Sequence, residues 1–228
     1  MYKNSIFLKL FFLFFLVTIS CKRETNQTVN QLEYKSINRV ILDSAYQAKK
    51  EKDTILFKSL NSKGLALSVK MKDTFAIADA NWNYGSFYLS KEKLDSSYMY
   101  YYEAFKGFNS IRNDLNAGKM LYNMSIIQKD LKDYTGAEIT SFEAISKFDK
   151  EKHHYNLYLA YNNLGVIYHN LKEFDKSIES HNKALDYLED LKNKRTFKEG
   201  SLNNLGLVYL KKGDHKEVDL QQKVGHFL

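Results

Sequence analysis

Asn163-Leu164-Gly165-Val166-Ile167-Tyr168 and Asn204-Leu205-Gly206-Leu207-Val208-Tyr209 are nearly the same six residues, 41 positions apart. Forty residues before the first stands Asn123-Met124-Ser125-Ile126-Ile127-Gln128, and forty before that Asn83-Tyr84-Gly85-Ser86-Phe87-Tyr88. Ala104, Ala144 and Ala184 follow Tyr84, Met124 and Leu164 at one constant offset. Self-similarity at a fixed period of this length marks an array of supersecondary units, each unable to bury its apolar face alone.

The surroundings say that the units are helical. The 228 residues include no proline and only 10 glycines. At average usage about 11 prolines would be expected. Without them helices run on uninterrupted, and a turn-rich sandwich or barrel is disfavoured. Apolar residues make up 44% and charged residues 27% of the chain, with 17 Tyr and 15 Phe; wholesale disorder is excluded. The pattern predicts helix pairs near 75–90/93–108, 115–131/134–150, 153–171/174–191 and 197–212/215–227, with a degenerate pair at 36–73. In the last copy Gly225 stands where the others carry Ala, and no capping helix is expected after it. Its edge is expected to lie open to a partner or to a second copy.

The motif resembles the tetratricopeptide repeat (TPR), a helix–turn–helix unit with a large–Gly–x–x–Tyr signature and later small residues. The large–Gly pair is Leu164-Gly165 and Leu205-Gly206, and the Tyr is Tyr88, Tyr168 and Tyr209. The first small position falls on Ser97, Ala137, Ser177 and Val218, and the second on Ala104, Ala144, Ala184 and Gly225. The resemblance spans residues 74–228 as four repeats, the last incomplete. It implies an all-α, superhelical solenoid of antiparallel pairs with a long repeat of 40–41 residues. Many TPR units have 34 residues and a late Pro, so helix B is expected to be longer here, ending in weak polar turns.

Asn precedes each large residue of the motif: Asn83, Asn123, Asn163 and Asn204. Asn is a poor residue inside a helix, and a carboxamide offers both a donor and an acceptor. Two roles fit. The four Asn can bond the backbone of an extended peptide, because the TPR resemblance places this position on the concave groove. Alternatively, they bond between neighbouring helices and hold the array together. Trp82, Tyr122, Asn162 and Asn203 would line the same groove. Four net hydrogen bonds give only about 4 kcal/mol, near millimolar affinity, so aromatic pockets must contribute to any useful binding.

The N-terminus has its own pattern. Lys3 is followed by an apolar run from Ile6 to Val17, broken by Lys9, then by Thr18-Ile19-Ser20-Cys21 and an abruptly polar Lys22-Arg23-Glu24. Charged start, short apolar core and small residues before a cut make a secretory signal. As a helix, Ile6–Ile19 spans about 20 Å, short of the ~30 Å bilayer core. The segment resembles a bacterial lipoprotein signal, although Thr18 stands where that family usually has Leu. The resemblance implies cleavage of residues 1–20, lipid attachment at Cys21, a tether over 21–35, and a place in the bacterial cell envelope facing the periplasm or the exterior.

Other chemistries find no support. Cys21 is the one cysteine, so no internal disulfide framework exists. The six histidines lack metal-ligand spacing, and there is no phosphate-cradling glycine loop or serine elbow. No enzyme, metal or cofactor is expected. Net charge is +7, but the charges are interspersed, and a nucleic-acid face needs a basic stripe with readout groups; no nucleic-acid partner is expected. The reading is a membrane-anchored, noncatalytic scaffold that binds a protein or peptide segment in its groove. The alternative is the sensor part of a bacterial signalling regulator, truncated or standing alone.

Overall fold

A computed structural model describes residues 33–188 and 195–213. Among these residues every regular element is a helix: α1 (33–50), α2 (Thr54–Met71), α3 (Thr74–Leu89), α4 (Leu94–Ser110), α5 (Asp114–Asp130), α6 (Tyr134–Lys147), α7 (His154–Asn170), α8 (Phe174–Leu188) and α9 (Arg195–Lys212). No helix of the described residues is long and apolar enough to cross a membrane. The chain divides into two units, residues 1–76 and 77–228.

Connections recur every twenty residues. Lys52, Lys72, Glu92, Arg112, Lys132 and Lys172 all take positive φ, between 53° and 64°. At each, two bonds close the end of the helix. The Lys132 N–H donates to the Lys129 carbonyl at 2.9 Å and the Asp133 N–H to the Gln128 carbonyl at 2.8 Å; Lys172 and Glu173 repeat this with His169 and Tyr168. This is the Schellman ending, usually built on Gly. The residue that completes it then starts the next helix. Asp53, Asp73, Asn113 and Asp133 each accept the N–H three residues on, at 2.9 to 3.2 Å. At these four positions a link of two or three residues thus satisfies both helix ends and turns the chain back on itself. These turns are specific devices, not the weak polar stops expected.

The α6–α7 link is different. α6 stops at Lys147, short of the expected 150, because Phe148 turns extended at φ −90°, ψ 131°. The Asp149 N–H donates to His153 Nδ1 at 3.0 Å and closes the loop. The additional length of the repeat therefore lengthens α4 in one unit and forms a loop in the next. The expected helix 215–227, and with it Val218 and Gly225, lies outside the described residues.

In residues 33–76, α2 lies on α1 through Gly64, where a Cβ would meet Leu42 Cδ2 at 2.5 Å. Asn38 Nδ2 donates to Ser68 Oγ at 2.7 Å across the pair. In residues 77–228 the same close approach recurs at residue pairs sixteen apart. A Cβ on Gly85 would sit 2.7 Å from Tyr101, and one on Gly165 2.6 Å from His181. Where Gly becomes Ser125, the partner shrinks to Ser141, and both are buried. Ser97 and Ser177 donate to the carbonyls of Gly85 and Gly165 at 2.8 and 2.7 Å. The core between these contacts is Tyr101, Ala104, Phe108, Met120 and Ile127, continuing to Leu121, Ala144, Phe148 and Leu157.

The left-handed backbone at non-glycine residues costs about 1 kcal/mol each. Lys132→Gly is therefore expected to raise stability by about 0.5–1 kcal/mol in urea unfolding. A loss of stability would contradict the assignment of strain to that turn.

Candidate functional site

The odd-numbered helices α3, α5, α7 and α9 carry every side chain singled out for binding. Trp82, Tyr122, Asn123, Asn162 and Asn204 are half-buried, Asn203 is exposed, and Asn83 and Asn163 are buried. Cys21 lies outside the described residues.

Direct contacts join the successive odd helices. Lys119 of α5 holds its ammonium 5.7 Å from the centre of the Trp82 ring on α3. Burial there pushes the Lys119 amine below its usual ionisation range, while the same desolvation strengthens the pull of the ring on the charged form. Asn163 of α7 donates to Ser125 Oγ of α5 at 3.0 Å, and Ser125 donates on to the Tyr122 carbonyl at 2.8 Å. Asn204 of α9 lies 3.4 Å from Asn162 Oδ1 of α7. At both Asn163 and Asn204 an amide N–H is directed to the neighbouring helix. Of the two roles open in the sequence, the interhelical bond is the one these contacts display.

Asn162 is a junction. Its Oδ1 faces His181 Nδ1 at 2.9 Å and accepts from Ser201 Oγ at 3.2 Å, besides Asn204. A carbonyl oxygen only accepts, so Nδ1 of His181 carries the proton. Its Nε2 is then a buried lone pair with no partner, set against Gly165. Burial, with a smaller effect of His169, pushes the His181 pKa down to about 4. The imidazole is a neutral packing group that ties α8 to α7 and, through Asn162, to α9. Nothing in the sequence signals the link of His181 to Asn162.

An aromatic cluster adjoins this junction. Tyr155 and Tyr158 of α7 approach Phe197 of α9, with ring centres 5.4 and 5.8 Å apart. The Tyr158 hydroxyl donates to the Phe197 carbonyl at 3.0 Å. Tyr122 on α5 is close enough that Tyr155 and Tyr158 add to burial in raising its pKa to about 12. Tyr155 and Phe197 keep 42% and 36% of their surface accessible, so the cluster is open on one side. This cluster was not among the residues picked from the sequence, because Tyr155 and Phe197 lie outside the repeated hexapeptide. Among the described residues no group of His, Cys, Asp and Glu could hold a metal ion.

Residues 158–190 match the tetratricopeptide repeat family. Among solved structures, the chain is similar to BtubC (BKLC) from P. vanneervenii, with a TM-score of 0.76 at 20% identity over 86% of this chain and 80% of that one. It is similar to the apo form of RapI, at 0.75 and 17% over 83% and 69%. It is also similar to YrrB, described as a TPR protein with an unusual peptide-binding site, at 0.54 and 14% over 79% and 80%. These likenesses show the fold, a TPR-type solenoid of helix pairs. No curated protein sequence matches the chain.

The neutral His181 has a consequence for stability. The unfolded imidazole titrates near 6.5 and the folded one near 4. Between those values the unfolded chain binds the extra proton, so stability is complete above pH 6.5 and falls as pH drops toward 4. The full loss is about 3 kcal/mol on these values. Urea midpoints measured from pH 7 to pH 4 should show this slope, and His181→Gln should flatten it. An unchanged slope in His181→Gln would refute the assignment.

Proposed function

We propose that the chain is a noncatalytic scaffold whose odd-numbered helices bind an extended protein segment. One observation carries this reading. Trp82, Tyr122, Asn162 and Asn203 occupy the same repeat position on four successive odd helices, and none is sealed in the core. Trp82 and Tyr122 pack against the core yet keep part of their surface accessible, where aromatic side chains can supply contact area to a ligand and Asn can fix its polar backbone. The likeness to YrrB, described as having a peptide-binding site, points the same way.

The interhelical bonds refine the mechanism. Asn163 and Asn204 each direct an amide N–H to a neighbouring helix, which leaves their carboxamides less to offer a ligand than a free pair of donor and acceptor. Binding then depends on the aromatic groups. Tyr122 beside the Tyr155–Phe197 opening would take an apolar side chain, with Asn123 contacting the backbone next to it. Such preorganised pockets lower the ordering cost of association.

Peptides selected from a random library on the purified chain test this. Tyr122→Ala with Asn123→Ala should weaken the selected peptides about tenfold or more, a loss of about 1.4 kcal/mol or more, with the helical circular-dichroism signal kept. Retained affinity would remove this face as the binding site.

The apolar run Ile6–Val17 ahead of Cys21 supports an anchored form, in which the lipidated Cys21 holds the scaffold at a bacterial membrane. More than one acyl chain is needed for stable anchoring. Metabolic labelling with palmitate should mark the wild-type chain and not Cys21→Ser. Equal labelling of both would exclude Cys21 as the attachment site.

A further inference from the structure

Met99 and Tyr102 of α4 leave 53% and 43% of their surfaces in solvent, and Ile139 and Phe142 of α6 leave 64% and 49%. The two pairs are forty residues apart and occupy the same two repeat positions. The same positions elsewhere in the chain are polar. α2 has Ser59 and Ser62 there and α8 has Glu179 and Asn182, all exposed. The helix pairs therefore form with polar residues at these places, and packing does not call for Met, Tyr, Ile and Phe on α4 and α6.

Tyr98 stands beside the exposed pair of α4. It is half-buried on α4, one turn before Tyr102. After burial, the charges that raise its ionisation are Tyr102 on its own helix and Asp133 and Glu143 at the start and middle of α6. Lys147 of α6 donates to Asn109 Oδ1 of α4 at 2.8 Å, so the two helices lie side by side here, and carboxylates border the strip. Asp95 and Glu103 lie on the α4 side and Asp133 and Glu143 on the α6 side. Of the nearby cations, Lys106 is taken up by Glu103 at 2.7 Å and rests 5.1 Å from the centre of the Tyr102 ring, Lys147 is held by Asn109 and Asp114 at 2.8 and 3.3 Å, and Lys132 adjoins Asp133 in the turn. The surplus charge of the rim is negative, in a chain whose net charge is +7.

We infer that this face of α4 and α6, distinct from the odd-helix face, binds a basic amphipathic helix of another protein. Such a helix would lay its apolar stripe between Met99–Tyr102 and Ile139–Phe142 and bring its lysines or arginines to the acidic rim. Apolar residues exposed at matching positions on two neighbouring helices suit an amphipathic helix laid along them. The negative border selects a cationic partner and works against an anionic lipid surface.

A fluorescent Leu/Lys amphipathic peptide of about 18 residues, five helical turns, serves as the probe, with a Leu/Glu peptide of the same pattern as control. Anisotropy with the full chain should show the Leu/Lys peptide binding about tenfold or more tightly than the Leu/Glu peptide at low salt. Replacing the four residues with Ser, as α2 carries at Ser59 and Ser62, should weaken the Leu/Lys peptide about tenfold or more while helicity and melting cooperativity persist. If the fourfold variant folds poorly, Met99→Ser/Tyr102→Ser and Ile139→Ser/Phe142→Ser are tested as separate pairs, each expected to weaken binding. Equal binding by the Ser variants, or equal binding of the two peptides, overturns the proposal. So does a sedimentation shift from dimer to monomer in the Ser variants, which would assign the face to a second copy. Loss of binding to anionic phosphatidylglycerol vesicles in those variants would assign it to lipid and overturn it as well.

Discussion

Two antiparallel helices close on each other only where one of them gives up a side chain, and that constraint organises the described helix pairs. Gly85 makes room for Tyr101 and Gly165 for His181, each within 2.7 Å of where a Cβ would lie. In the unit between, Ser125 faces a position that has shrunk to Ser141. Side-chain volume is traded between positions sixteen residues apart, so that the pair keeps its spacing at interior packing density. The carbonyl exposed by the missing Cβ is then used, since Ser97 and Ser177 donate to it. Once the pairs are fixed, successive odd helices can meet, and Asn163–Ser125 and Asn204–Asn162 fasten them.

The helix pairs were legible because packing leaves a periodic trace. The large–Gly pair, the later Ala and the Tyr recur at forty residues, and each is a steric requirement. The turns were harder to see. Left-handed backbone normally advertises itself with Gly, but here it falls on Glu92, Arg112, Lys132 and Lys172, residues that look like ordinary surface. What could have revealed them is the residue that follows: Asn113 and Asp133 are short polar side chains that cap the next helix. The α6–α7 loop left a fainter sign, because His153 closes it by accepting a backbone N–H from four residues earlier, a role with no fixed spacing signature.

The candidate site residues divided along the same line. Asn at a repeated helical position signals that a carboxamide is needed, but not whether its partner is a ligand or the next helix. The structure gives Asn163 and Asn204 helical partners, and it gives Asn162 three at once, His181 among them. Tyr155 and Phe197 escaped notice because they lie outside the repeated hexapeptide, although they form the open side of the aromatic cluster. The two proposed binding faces therefore rest on departures from the repeat at a repeated position: Trp82 and Tyr122 on one, Met99, Tyr102, Ile139 and Phe142 on the other.

The most direct test of the volume trade is a double-mutant cycle at Gly85 and Tyr101, measured by urea unfolding. Gly85→Ser in the native background should cost about 2 kcal/mol from overpacking. In a Tyr101→Ser background, which copies the Ser125–Ser141 pair, the same change should cost less by about 1–3 kcal/mol. An equal cost of Gly85→Ser in both backgrounds would contradict the account.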